Sequence, residues 1–398
     1  MASDDLQQLI ERIHGRAFPL VVAVTGGGSG AISALLQVPG ASRTVLEAIV
    51  PYAAEALVDW LGSRPEQFCS SRTARAMAMV AYQRAGQLTA GRDPRPEVLG
   101  VGCTASLASD RPKRGPHRAH FAWQNATTTL AGQLDLQKGT RSRAEEEALL
   151  ARLLLEMIDG ATRGEALEAE LLRAAAGVAP DESLTIATQQ ASPAWRALLA
   201  GEPQAVGERA AAGTRADALP RGIFPGAFNP RHPGHDAMAA VAARRLSRPV
   251  EFELSIANVD KPPLDFLEMA ARLAQFTPDE SLWFTHAPTF VEKSRIFPGS
   301  TFVVGADTIV RIGEPRYYGG ATPQSQAESR DAALAEIAAA GCRFLVFGRQ
   351  GAAGFASLDT ISIPAPLRAL CDGVGEAEFR ADISSTQLRR RAAAAGNE

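Results

Sequence analysis

At 398 residues the chain is longer than one ordinary domain, and a prior of roughly 100–200 residues per domain implies two. Its composition, 46% hydrophobic and 21% charged, excludes a mainly disordered polymer and allows a core in each half. A formal net charge of −3 excludes a general attraction to nucleic acid or to an anionic membrane, so a polyanionic ligand has to be met by local basic groups; small-molecule nucleotides fit that balance.

From the N-terminus, residues 17–42 carry no charge, but a glycine run and Pro39 interrupt them. They predict a strand, a turn and a helix rather than a membrane span. The preceding residues mix charges and do not form a basic leader, which predicts a cytoplasmic protein. A second apolar stretch at 46–52 precedes a helix, and residues 71–85, rich in Ala and Met behind Ser70, predict another. Residues 98–104 read as a buried strand. Residues 141–176 alternate charge and leucine at helical spacing, and a boundary follows near 200–220. The expected organisation is a first domain over 1–200, a linker over 201–219 and a second domain over 220–398.

In the second half, strand signals at 222–224, 250–257, 301–304 and 343–347 alternate with helical ones at 236–246, 265–275 and 332–340. That alternation predicts an α/β fold with a doubly wound parallel sheet. The four cysteines, Cys69, Cys103, Cys342 and Cys371, are scattered without a C-x-x-C pair, which fits neither a disulfide framework nor a zinc site. No protein-held metal is expected, and the oligomeric state stays open, a homo-oligomer included.

Chemistry concentrates in Gly226-Ala227-Phe228-Asn229-Pro230-Arg231-His232-Pro233-Gly234-His235, between a short apolar strand and a helix. Glycines let a backbone approach phosphate, a helix N-terminus offers unpaired N–H groups, and imidazoles donate to phosphate oxygens. The segment resembles the first motif of the H-x-G-H nucleotidyltransferase superfamily, G-x-F-(N/D)-P-x-H-x-G-H, at every fixed position. Ile383-Ser384-Ser385-Thr386-Gln387-Leu388-Arg389 is similar to that superfamily's second motif, I-S-S-T-x-(I/L)-R. Independently of the resemblance, Ser and Thr cap a helix whose N-terminus, with Arg389, suits a triphosphate tail. The strand ending Gly305-Ala306-Asp307 resembles the nucleotide-contacting segment of bacterial nicotinate-nucleotide adenylyltransferases, and Lys261 reads equally as an exposed loop lysine or, as the resemblance implies, as the basic residue that meets the acceptor phosphate.

The resemblance implies in-line attack by an acceptor phosphate on the α-phosphorus of ATP. Catalytic roles fall on His232, His235 and Arg389, and nucleotide contacts on Gly226, Phe228, Asn229, Gly234, Gly305, Asp307, Ser384, Ser385 and Thr386. Magnesium is expected to enter through the nucleotide phosphates.

In the first half, Val24-Thr25-Gly26-Gly27-Gly28-Ser29 and the helix after it resemble the C-terminal domain of the CinA family over roughly residues 10–165. Relatives there hydrolyse nicotinamide mononucleotide with a Ser in an E-S-C-T-G-G turn and a Y-x-x-x-x-K segment. Tyr52 keeps the tyrosine, but Leu57 stands where the lysine would be. The implied ligand site, Thr25, Gly26, Gly27, Gly28, Ser29 and Tyr52, therefore reads as binding without hydrolysis. The same glycines also satisfy the dinucleotide pattern G-x-G-x-x-A, which keeps a nicotinamide-dependent oxidoreductase open. Residues 111–120, with three Arg, one Lys and two His, read as a basic loop or an anion clamp.

Together the two resemblances imply transfer of AMP to nicotinamide or nicotinate mononucleotide. Transfer to pantetheine phosphate, cytidylyl transfer, and a non-catalytic pyridine-nucleotide sensor remain as alternatives.

Overall fold

A computed structural model describes residues 2–110, 115–209, 221–258, 262–351, 354–380, 385 and 387–389. The chain forms two compact α/β units, Met1–Arg196 with Asp260–Ala270, and Ala197–Val259 with Ala271–Glu398.

The first unit begins with α1 (Ala2–Gly15), β1 (Leu20–Thr25), α2 (Ser29–Gln37), α3 (Ala41–Thr44), β2 (Val45–Ile49), α4 (Ala54–Leu61), α5 (Ser71–Leu88) and β3 (Leu99–Ser106). It continues with β4 (His117–Gln124), β5 (Thr128–Leu136), α6 (Arg143–Arg163), α7 (Ala169–Ala176), β6 (Ser183–Gln190) and α8 (Pro193–Leu199), the last running through the division at Arg196. Its sheet has the order β2-β1-β3-β4-β5-β6, parallel across the first three strands and antiparallel thereafter. Strand alternation splits the core: Val22, Val24, Val101, Cys103 and Phe121 pack with Leu9 and Ile13 of α1 and Leu150 and Leu154 of α6, whereas Ala23 joins Leu57 and Met77 on the opposite face. Ser70 caps α5 by accepting from the Thr73 N–H, and Ser142 with Glu145 forms a capping box that starts α6. The helical spacing expected over 141–176 is realised as two helices, because Gly164 takes a left-handed conformation and stops α6.

The basic stretch at 111–120 differs from the loop expected. Residues 111–114 lie outside the described residues, while His117 opens β4 and both His117 and His120 are buried. Strand pairing on both sides of β4 overrides its polar composition.

The second unit contains β7 (Ala205–Arg209), β8 (Gly222–Pro225), α9 (Pro233–Leu246), β9 (Val250–Ser255), the end of α10 (Phe266–Leu273), which runs through the division at Ala270, β10 (Ser281–Thr285), α11 (Phe290–Ile296), β11 (Thr301–Gly305) and α12 (Ala306–Gly313). After a 3-10 turn at Pro315–Tyr317 come α13 (Pro323–Ala339), β12 (Arg343–Phe347), the hairpin β13 (Arg349–Gly351) and β14 (Gly354–Ala356), α14 (Ala365–Arg368) and β15 (Cys371–Val374). The sheet order is β15-β12-β11-β8-β9-β10-β7, parallel except for the last pair. The chain thus winds outward from β8 through β9 and β10, then returns to β11 on the other side of β8 and winds the opposite way. This is a doubly wound sheet whose switch point lies between β8 and β11, where the strand ends leave a crevice. Strand β7 falls within the 201–219 stretch expected as a linker. It is an edge strand there, its N–H and C=O groups paired antiparallel to β10.

Ile223, Phe302, Val304, Phe344 and Val346 form one face of this core with Ile309, Leu334 and Ile337. On the other face Phe224, Phe228, Phe252 and Phe276 meet with ring centroids 5.1–5.8 Å apart.

Candidate functional site

In the second unit the turn after β8 and the start of α9 line a cavity of about 300 Å³ at the switch point. Phe224, Gly226, His232, Gly234, His235 and Met238 form one wall; Val304, Gly305, Thr308, Phe347, Arg349, Phe379 and Ser385 complete it. Gly226 is explained by packing: a Cβ there would lie 2.6 Å from the Phe228 ring, which is buried beneath the turn. The fixed Gly and Phe of the segment are therefore one structural device, and Phe228 supports the site from below rather than lining it.

His232 caps α9 and His235 follows in its first turn, with the two rings stacked 3.8 Å apart at 25°. The backbone N–H of His232 donates to Nδ1 of His235 over 3.2 Å. That bond requires a lone pair on Nδ1, so the neutral ring carries its hydrogen on Nε2 and can donate it. Burial, then the neighbouring His232, lower the His235 pKa to about 4; burial also lowers that of His232. Near neutral pH the site thus presents imidazoles, not imidazolium ions.

The turn itself is clamped through its carbonyls. Arg272 Nε donates to the Ala227 carbonyl over 2.8 Å and Gln275 Nε2 to that of Phe228 over 3.0 Å, while the Arg389 guanidinium donates to Asn229 and Ser385 Oγ to Pro230 over 2.9 Å. Four consecutive carbonyls are held by side chains from two distant segments. Arg231, at a position the motif leaves variable, adds ion pairs to Glu280 and Asp236 and lies over the rings of Phe252 and Phe276 at 4.8 and 4.7 Å.

The fold therefore brings Gly226, Gly234, His232, His235, Gly305 and Ser385 to one cavity, with Asn229 and Arg389 bonded to each other at its side. Asp307, expected as a nucleotide contact, is ion-paired with Arg349, a cavity residue that sequence reasoning missed. Its signal was an arginine between two glycines just after a buried strand at the ligand-bearing edge of the sheet. Lys261, Ser384 and Thr386 lie outside the described residues. Among the described residues no group of three or more His, Cys, Asp or Glu is placed to hold a metal ion.

The first unit gathers its glycine turn at the N-terminus of α2, where Gly26 and Gly28 have φ of 73° and 91°. A Cβ on Gly26 would sit 2.0 Å from the Ala105 carbonyl oxygen, so a side chain is excluded by both space and conformation. Three donors of this turn already share a partner. Gly28 N–H, Gly30 N–H and Ser29 Oγ–H donate to the Glu147 carboxylate over 2.9, 3.0 and 3.0 Å. Burial works against this carboxylate, but the two amides, the hydroxyl and Arg143 outweigh it and hold its pKa below the usual range. Thr25 Oγ1 donates to the Pro51 carbonyl over 3.0 Å, and Tyr52 is 67% exposed. Leu57, where a lysine would be needed, is buried in the core.

Fold and site thus define a chain of two α/β units, the second with a ligand-sized cavity at the switch point of a doubly wound sheet. No protein-family model matches the chain, and no curated protein matches it. Solved structures similar to it include a competence/damage-inducible protein from Agrobacterium tumefaciens, at 22% identity and TM-score 0.31, covering 40% of this chain and 93% of that one. A competence-damaged protein (CinA) superfamily member from Klebsiella pneumoniae matches at 16% identity and TM-score 0.29, covering 40% and 98%. A competence or damage-inducible protein from Enterobacter asburiae matches at 16% and 0.30, covering 42% and 97%. Likeness of this degree carries no argument about activity. Among the described residues no helix is long and apolar enough to cross a membrane.

Proposed function

We propose that residues 220–398 transfer AMP from ATP to nicotinamide or nicotinate mononucleotide, releasing pyrophosphate. The observation that carries this reading is the meeting of two segments more than 150 residues apart: Ser385 and Arg389 bond the carbonyls of Pro230 and Asn229 beside the His232–His235 pair. Each segment alone has a bland explanation as a helix cap. Their convergence on one cavity at a sheet switch point favours a phosphate-bearing ligand.

In this reading an oxygen of the acceptor phosphate attacks the α-phosphorus in line, and the bond to the β-phosphate oxygen breaks. His235 Nε2–H donates to the α-phosphate oxygens as charge develops on them, and the clamped turn holds that donor in place beforehand. The lining supplies imidazoles and hydroxyls rather than a carboxylate cage, so magnesium fits here as the counter-ion of the triphosphate, neutralising charge on its oxygens. Residue Arg389, read as a triphosphate contact, also acts through the turn it bonds.

The first unit is proposed to lack amidase activity. Aligned on Thr25-Gly26-Gly27, the family's E-S-C-T-G-G turn puts its serine on Ala23, which is buried within β1. Ser29 does donate to a carboxylate, but Glu147 is held at low pKa by two amides and is a poor proton acceptor. The pairing of the two resemblances is what selects a pyridine mononucleotide as acceptor.

One assay tests the whole reading: pyrophosphate release by the full chain with ATP, against nicotinamide mononucleotide, nicotinate mononucleotide, pantetheine phosphate and CTP controls. Release dependent on a pyridine mononucleotide is expected. Release with every acceptor except these two would refute the assignment of the acceptor, and no release with any would refute the chemistry.

A further inference from the structure

Arg349 opens the β13–β14 hairpin two residues after β12 and lines the cavity wall facing His232. The base of the hairpin is tightly built: a Cβ on Gly348 would come within 2.3 Å of the Phe355 ring, so the turn before Arg349 is seated on that ring. Its guanidinium pairs with Asp307 in the first turn of α12, and the two side chains are 46% and 63% exposed. Such a pair is weak, because water screens the attraction and two long side chains lose freedom in making it. A phosphate at the same distance carries more charge and matches the guanidinium fork with two oxygens.

We propose that Arg349 is a phosphate-binding residue of this cavity, held in reserve by Asp307, and that ligand entry transfers its guanidinium from the carboxylate to phosphate oxygens. The proposal rests on the nucleotide-site reading above and adds to it a residue and an exchange. Asp307 then has an opposing role: it orients Arg349 in the empty site and competes with the ligand for it. Loss of each partner should therefore move affinity in opposite directions, and Asp307 should act only through Arg349.

The test is calorimetric binding of inorganic tripolyphosphate and of ATP to the full chain, with thermal melts confirming that each variant is folded. Arg349→Gln is expected to weaken tripolyphosphate binding about tenfold or more, and Arg349→Lys to restore part of it. Asp307→Asn is expected to strengthen binding severalfold, and that gain is expected to vanish in the Asp307→Asn, Arg349→Gln double variant. Unchanged binding by Arg349→Gln would overturn the inference. So would a gain from Asp307→Asn that persists in the double variant, since removal of a nearby negative charge alone would then explain it. Failure of the wild-type chain to bind either ligand would overturn the nucleotide-site reading and this inference together, whereas the preceding outcomes leave that reading standing.

Discussion

Both units place a glycine turn between a central parallel strand and a helix N-terminus, yet the two turns are finished differently. In the first, the amides of Gly28 and Gly30 and the hydroxyl of Ser29 close on Glu147. In the second, side chains seize the carbonyls of the turn, from Ala227 to Pro230, and leave the helix start and two imidazoles facing a cavity. The contrast teaches that a phosphate-type turn is a set of donors whose use depends on who reaches it first. A carboxylate from a neighbouring helix satisfies the same geometry as a phosphate and makes the turn structural. A clamp on the acceptor side fixes the backbone and keeps the donors available.

The largest test of this contrast is His235→Ala. Turnover is expected to fall about 10²-fold or more with the fold intact, because a donor to charge developing on the α-phosphate is lost. Near-normal turnover of the purified variant in the pyrophosphate assay would mean that the open turn is not the chemical site. Arg389→Ala removes both a phosphate-suited cation and the bond to the Asn229 carbonyl. A rise of about 10–100-fold in the ATP Michaelis constant is expected, with some loss of turnover from the loosened turn. A constant that does not move would separate the C-terminal segment from nucleotide binding.

For the closed turn, Glu147→Ala should destabilise the first unit by about 1–3 kcal/mol, since three donors lose one acceptor. Chemical denaturation of the full chain, followed by a probe in that unit, measures it, and an unchanged midpoint would show that water replaces the carboxylate without cost. The wild-type chain should release no ammonia from nicotinamide mononucleotide above a no-enzyme control. Ammonia release abolished by Ser29→Ala would show that Glu147 does serve as a base.

The last test compares the units by pH. Burial lowers His120 in the first and His235 in the second from 6.5 to about 4. Between these values the unfolded chain binds more protons than the folded one, so the stability from each neutral ring is complete above pH 6.5 and is lost as pH falls toward 4. Denaturation midpoints measured across that window should decline, and His120→Gln should flatten the decline for the first unit alone. An equal slope in the variant would assign the acid sensitivity elsewhere.

How much of this was legible beforehand depended on distance along the chain. Strand β1, the turn and α2 followed from an apolar run, glycines and a helical composition within twenty residues. The helix expected at 236–246 is α9, which begins three residues earlier, at Pro233. Three strands of the first sheet, β4 to β6, were missed: β4 is buried at seven of eight positions whatever their polarity and β6 at only one of eight, so neither shows a strict alternation. Strand β7 was taken for linker because an edge strand needs only one partner and little burial.

By itself the sequence determined the local chemistry: which turns can bend, which helices can begin at them, and which residue types stand there to meet an anion. Those properties depend on neighbours a few residues apart, through backbone conformation and capping. The tertiary structure alone decided which donors remain available. Glu147 reaches Ser29 across 118 positions and Arg389 reaches Asn229 across 160, and no local pattern states that either arrives. A donor already held by a carboxylate is not open to a ligand, so availability is settled by packing between segments that the chain order keeps far apart.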